Sequence, residues 1–278
     1  VTVVNEASDA GPGRPNSTGL RRVRAVALLV LQWAIALALI YLFWTKILIG
    51  DVSSAFLADP SATWSQLVVF FHDGTLWSMI ETTLEETLVG FGIGTAIGVL
   101  LALLIGLTPD YVGKIFEPFI AGFYAMPKFV LVPVLFVWIG SGFLPRMYLV
   151  MLAVFPVIAI YMISGIRTVD PGTMRAFRLY GASRAQIARK LLLPHAGGYL
   201  VTALTFALPH ALTFAIGAEI LFGSSNGIGG VLFTEGSNFN SAGVIAALIV
   251  GTVLSAFFIW LARQVGQRLI GLDQRQAI

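Results

Sequence analysis

Apolar residues in this chain gather into runs of about twenty, and polar residues into the gaps between them. Six runs stand out, over residues 25–49, 82–107, 119–139, 147–166, 200–221 and 242–261. Each is long enough to cross a bilayer as a helix, which keeps its backbone hydrogen bonds inside the segment. The third carries Pro127 and Pro133, and proline removes a donor from the helical ladder. An even count returns both termini to one side. The pattern breaks most sharply between the fourth and fifth runs, at Arg175 to Pro194, RAFRLYGASRAQIARKLLLP. So basic an insert belongs in water, and its punctuation predicts two short helices. Asp170 caps the first, with Pro171 at the first helical position. Gly181 offers a hinge, Ser183 and Gln186 have capping-box spacing for the second helix, and Pro194 stops it.

Composition agrees with a membrane protein. Hydrophobic residues make up 57% of the chain and charged residues only 11%, where soluble domains carry about a quarter. Mean hydropathy is +0.87. The net charge of +3 is explained by where the cations fall, not by nucleic-acid binding. Arg14, Arg21, Arg22 and Arg24 precede the first run, Lys114 follows the second, and Arg167, Arg175, Arg178, Arg184, Arg189 and Lys190 follow the fourth. Arg263, Arg268 and Arg275 come after the sixth. These are fourteen of the 17 basic residues, and the positive-inside rule puts that face, with both termini, in the cytoplasm. Residues 1–22 lack apolar periodicity and are expected to form a disordered tail before a membrane domain over 23–272. Residues 273–278 form a second tail. The run after Arg24 is too long for a cleavable signal. Residues 51–80 lie outside, where Trp64, Leu67, Val68, Phe70 and Phe71 form an amphipathic helix along the interface or packed on the bundle.

Independent chemistry is hard to find. There are no cysteines, and Gly113-Lys114 lacks the Gly-x4-Gly-Lys-Ser/Thr spacing of a phosphate loop. His72, His195 and His210 are far apart, with no metal-binding spacing. Glu81, Glu85 and Glu86 read as a solvated helix start. Three ionisable groups within or beside the runs are pathway or gate candidates, since charge in hydrocarbon is costly. Glu219 is a gating or pore-lining group, with an interfacial carboxylate as the alternative. Lys128 attracts an anion or snorkels to phosphates. His210 is also a candidate, though a helix–helix hydrogen bond is its simpler role. Gly90, Gly94 and Gly98 have the spacing that lets helix backbones approach. The stretch from Gly223 to Gly230 is expected as an outer loop shaping a gate or a docking surface.

One ordered series goes further. Arg175-Ala176-Phe177, Gly181, Leu191 and Leu193-Pro194 resemble the EAA loop of ABC-importer permeases: Glu-Ala-Ala, three residues, Gly, nine residues, a hydrophobic residue, one residue, Leu-Pro. The resemblance extends from about Leu76 to Leu272, and is closest to the nitrate/sulfonate/taurine branch. It includes AMPKFVLVPVLFVWIGSG, GIRTVDP and GAEILFGSSNGIGG. It implies an all-α integral membrane protein of about six transmembrane helices, with the type I importer permease fold and a coupling loop over about 167–195. It further implies a homodimer in the bacterial inner membrane, two cytoplasmic ATPase subunits holding ATP and Mg, and an external or lipid-anchored solute-binding protein. The permease itself would carry no cofactor and no enzymatic activity. Arg175, Ala176, Phe177, Gly181, Ala182, Ser183, Leu191, Leu193 and Pro194 would form the ATPase-coupling element, and the solute would be a small anion. Arg175 departs from the motif's Glu, so no particular ion pair carries over. A gradient-driven transporter or channel is the alternative; it would show coupled carboxylates or repeated halves.

Overall fold

The computed structural model describes residues 17–44, 58–224 and 226–276, and every regular element among them is helical. Contacts divide the chain into residues 1–59 and 60–278. In the first unit, α1 (Ser17–Leu42) begins inside the tail expected over 1–22. Trp44 Nε1 donates to Ala58 O at 3.0 Å. Residues 1–16 of that tail, and 45–49 of the first apolar run, lie outside the described residues.

The second unit carries α2 (Pro60–His72), α3 (Thr75–Gly106), α4 (Asp110–Ala125), α5 (Val132–Ile139) and α6 (Phe143–Arg167). After these come α7 (Pro171–Leu179), α8 (Arg184–Ile187), α9 (Leu193–His195), α10 (Gly197–Phe222), α11 (Ile228–Ser237) and α12 (Ser241–Gln276). α12 thus continues as helix through most of the tail expected over 273–278. Four of these elements are long and apolar enough to span a membrane: α3, α6, α10 and Ser241–Gln264 of α12.

Glycine decides how α3 and α6 meet. A Cβ built on Gly90 would stand 2.7 Å from Val150 Cβ, one on Gly94 2.9 Å from Val154 Cβ, and one on Gly98 2.7 Å from Ile158 Cβ. Near the other end, a Cβ on Gly106 would stand 2.7 Å from Ile166 Cγ2. The partner lies sixty residues ahead each time, so the two spans are parallel. The intervening chain therefore has to recross the membrane.

α4 and α5 make that crossing as one broken span, their axes bent by 88°. This corrects the single run expected over 119–139. Met126 is extended (φ −63°, ψ 133°), as a residue before proline tends to be. The broken ladder is repaired by Lys128, whose Nζ donates to Tyr124 O at 2.8 Å and Met126 O at 3.3 Å. Pro133 causes no break because it falls in the first turn of α5, where no donor is needed.

α6 is the most enclosed span: Leu149, Val150, Val154, Ile158 and Met162 have no exposed surface. α10 meets the same core through Ala203, Ala207, Ala211 and Ala215, one small residue per turn and all fully buried. α2 buries Phe70 against a cluster with Met79 and Val250 and leaves Trp64 and Phe71 exposed. The packing expected for this helix on the bundle is therefore present through Phe70.

The seam gives a direct test. Gly98→Leu should destabilise the fold by about 1–3 kcal/mol, the usual cost of overpacking, read as a lower unfolding temperature in detergent. Gly92→Leu should leave that temperature nearly unchanged, because nothing lies within 4 Å of its Cβ position.

Candidate functional site

The polar insert folds as two capped helices joined by a tight turn. Asp170 Oδ2 accepts from Thr173 N at 2.7 Å and from the Thr173 hydroxyl at 3.1 Å. These bonds, led by the backbone one, hold its carboxyl below the ordinary carboxylate value. At the other end of α7, Ala182 N–H donates to Phe177 O at 3.0 Å and Gly181 N–H to Arg178 O at 3.1 Å. This is a Schellman motif, whose turn residue must be left-handed; Gly181 has φ +76°. Ser183 and Gln186 then close the capping box. Ser183 N–H donates to Gln186 Oε1 at 2.7 Å, and Gln186 N–H to Ser183 Oγ at 3.2 Å.

Pro194 does not stop the second helix. Residues Ala188–Leu192 form a π-helical turn, in which Leu193 N–H reaches back to Ala188 O. The widened turn relieves the clash a proline ring makes with the carbonyl four residues before it. The helix runs on through α9 to Ala196 and into α10, with Leu200 N–H donating to Ala196 O at 2.9 Å. The insert is thus the direct extension of a membrane span.

Burial sorts the candidate residues. Ala176, Phe177, Ala182, Leu191 and Leu193 are half-buried, and Arg175, Gly181, Ser183 and Pro194 are exposed. Phe177, Ala182, Leu191 and Leu193 pack on the main core, beside buried Ile187 and Leu192. The tip belongs to two residues the motif reading passed over, Leu179 and Tyr180, exposed by 86% and 91%. These two large side chains stand on a turn fixed by three local motifs and give the insert an apolar tip.

The other candidates lie elsewhere. Glu219, fully buried in α10, faces the first turn of α11, and that helix begins at Ile228, inside the stretch expected as loop up to Gly230. Its Oε2 accepts from Gly229 N–H at 2.6 Å, and its Oε1 accepts from the Thr83 hydroxyl at 2.6 Å. Thr83 Oγ1 in turn accepts from Ile228 N–H at 3.0 Å. The carboxylate of α10 and the hydroxyl of α3 thus satisfy the open donors of a third helix, at the positive end of its dipole. A Cβ on Gly227 would collide with the Glu219 carboxylate, and one on Gly229 with Ile216 O. The glycines of this stretch are there to make room. Glu219→Leu should leave the buried Gly229 N–H without its acceptor, a local cost of about 2 kcal/mol. Faster amide exchange over residues 228–231 would register it, and unchanged exchange would refute the arrangement.

Lys128 is buried at the bend, bonded to two carbonyls and 5.8 and 5.9 Å from the ring centres of Tyr124 and Phe214. It braces the broken span and does not snorkel. His210 lines a cavity of about 400 Å³ between α10 and α12, with Phe206, Thr213 and Arg263. Sequence reasoning missed one further feature. Glu86, counted with the solvated helix start, is fully buried, and Arg146 Nε lies 2.7 Å from its Oε1. Glu86 Oε2 has no hydrogen-bond partner among the described residues. Glu81 and Glu85 are exposed as expected; Glu86, 100° further round the helix, faces α6.

The profile of a family described as binding-protein-dependent transport system inner membrane component matches residues 94–271. The taurine transport system permease protein TauC of Escherichia coli is 26% identical over 235 residues, covering 83% of this chain and 84% of that one. The formylaminopyrimidine transport permease protein ThiX of Halalkalibacterium halodurans is 23% identical over 216 residues, covering 76% and 86%. Among solved structures, a chain of a bacterial ABC transporter involved in the import of alginate superposes with a TM-score of 0.63 at 15% identity. That match covers 89% of this chain and 99% of the other, and it is a likeness of fold.

Proposed function

The chain belongs to the binding-protein-dependent transport system inner membrane component family and is a transmembrane permease subunit of an ABC importer; we propose that α7 and α8 are its coupling element to a cytoplasmic ATPase. The observation that carries this is the bare Leu179–Tyr180 tip, held by a Schellman motif between an Asp170 cap and the Ser183 capping box. Rigidity matters because a surface that bends under load transmits no displacement. The cations flanking the insert support a cytoplasmic position for it and for both termini. ATP and Mg belong on the ATPase, two copies per complex. A second copy of this chain completes the pathway, and an external solute-binding protein delivers the solute at the α11 end.

Coupling then follows one continuous path. ATPase closure moves the α7–α8 pair; α8 continues through its π turn and α9 into α10. α10 is about 39 Å long at the helical rise. Its far end carries Glu219, which holds the first turn of α11. Tilting α10 therefore loads the Glu219–Thr83 cluster, and α11 is the outer gate. Arg175 stands where the family motif has Glu, and its exposed guanidinium needs a partner surface without a facing cation. The taurine transport that names TauC supports a small sulfonate as the solute, and the His210–Arg263 cavity supplies a cation for the sulfonate group on its inner passage.

The test is complex formation in lipid nanodiscs with the cognate ATPase. Wild type should retain the ATPase, while Leu179→Asp/Tyr180→Asp should release it and lower solute-stimulated ATP hydrolysis at least tenfold. Retention of the ATPase by that variant, with normal stimulation, would assign coupling to another surface.

A further inference from the structure

The bundle end that carries α7 also holds a cleft that shares Arg175 with the coupling element. It encloses about 500 Å³ between the end of α3, the first turns of α4, the end of α6, and α7. Lys114, Arg167, Arg175 and Arg178 line it, against one carboxylate, Glu117. Glu117 pairs with Arg167 Nη2, leaving a surplus of three positive charges in one concavity.

A cation-rich inner face is ordinary in a membrane protein, but this cleft differs in two ways. The cations come from three separate elements and converge on one hollow, whereas Arg184, Arg189 and Lys190 of the same loop lie outside its lining. Its floor is apolar as well, formed by Ile105, Ile163 and Ile166 where α3 and α6 enter the membrane. A charged rim over an apolar floor is amphipathic. Guanidinium groups present several N–H donors in a plane that matches phosphate oxygens, and basic pockets between transmembrane helices suit anionic headgroups. Gly113 leaves room for the ion pair at the wall, since a Cβ there would stand 2.9 Å from Glu117 Oε1.

We propose that this cleft binds a phosphate-bearing anion, with the phosphate among Lys114, Arg175 and Arg178 and any acyl chain along Ile105 and Ile163. Such a ligand bridges α4 to α7, and so sets how firmly the coupling helix is held against the membrane domain. Its cytoplasmic placement rests on the orientation proposed above, whereas the phosphate chemistry rests on the cleft alone.

The test uses the delipidated permease–ATPase complex in detergent and three probes: phosphatidylglycerol, phosphatidylcholine and inorganic phosphate. Lipid retention is read by native mass spectrometry and stabilisation by the unfolding temperature. Wild type should retain phosphatidylglycerol over phosphatidylcholine. K114Q/R178Q should weaken that retention by roughly tenfold or more, while K114R, which keeps the charge, should restore it in place of K114Q. Arg189→Gln, a cation removed from the same loop outside the cleft, should retain the lipid as wild type does. Stabilisation by inorganic phosphate equal to that by phosphatidylglycerol, lost in K114Q/R178Q, supports the site and makes its ligand a soluble phosphate. Equal retention of the two lipids by wild type without a phosphate effect, or equal losses in K114Q/R178Q and Arg189→Gln, would overturn it. The readout is binding, so it can fail while coupling stands.

Discussion

Replacing Arg146 by methionine is expected to destabilise the permease by about 3–5 kcal/mol, more than any change of an exposed charge in this chain. The cost comes from what remains. Glu86 has no exposed surface, and its Oε2 has no hydrogen-bond partner among the described residues. Removing the cation strands a carboxylate between α3 and α6. Removing both charges is a different matter. A buried pair with an unsatisfied oxygen recovers little of its desolvation cost, so Glu86→Leu/Arg146→Met should return close to wild-type stability or exceed it. Thermal unfolding of the three proteins in one detergent measures both effects. Equal instability of the single and double variants would mean that Arg146 stabilises by packing and not by compensating Glu86.

The second large effect concerns function. Gly181→Val is expected to reduce ATPase stimulation and transport about tenfold, with little change in unfolding temperature. No atom lies within 4 Å of the Gly181 Cβ position, so the added side chain meets no steric obstacle. The strain is in the backbone: φ is +76°, and a left-handed conformation costs an L-residue about 1–2 kcal/mol. For a β-branched residue the turn can relax only by giving up the Ala182-to-Phe177 bond, which reorients α8 relative to α7. Asparagine tolerates the left-handed region, so Gly181→Asn should retain most activity. If valine and asparagine behave alike, the turn geometry is not what the ATPase reads.

Much of the insert was legible from its residues because its bonds are local. Asp170 to Thr173 and Ser183 to Gln186 are three residues apart, and such spacing maps directly onto a helix end. Gly181 was readable as the break between the two helices, although the hinge expected there is a fixed left-handed turn. The bend at Met126-Pro127 was half legible: Pro127 announced a weakness, but only the parallel packing of α3 and α6 shows that the bent pair completes one crossing. Pro194 misled, because proline's helix-breaking rule assumes four-residue bonding and the chain adopts a five-residue turn there. The Glu86–Arg146 pair had no sequence signature at all. Its members are sixty positions apart, the same offset that relates Gly90 to Val150, so their meeting depends on a helix register fixed by the glycine seam. Leu179 and Tyr180 were overlooked for a simpler reason, since apolar residues in a polar loop read as packing until exposure is known.

That offset also imposes a timetable on synthesis. The α3 glycines leave the ribosome sixty residues before the α6 side chains that fill them, roughly 3–12 s at ordinary elongation rates. During that interval the groove on α3 faces lipid, or any other helix with a narrow face. The seam cannot close until the kinked α4–α5 segment has crossed and brought the chain back to the starting side. Biogenesis therefore waits on the most distorted span. A slow or failed insertion there would leave a glycine-lined helix open to pairing with the wrong neighbour.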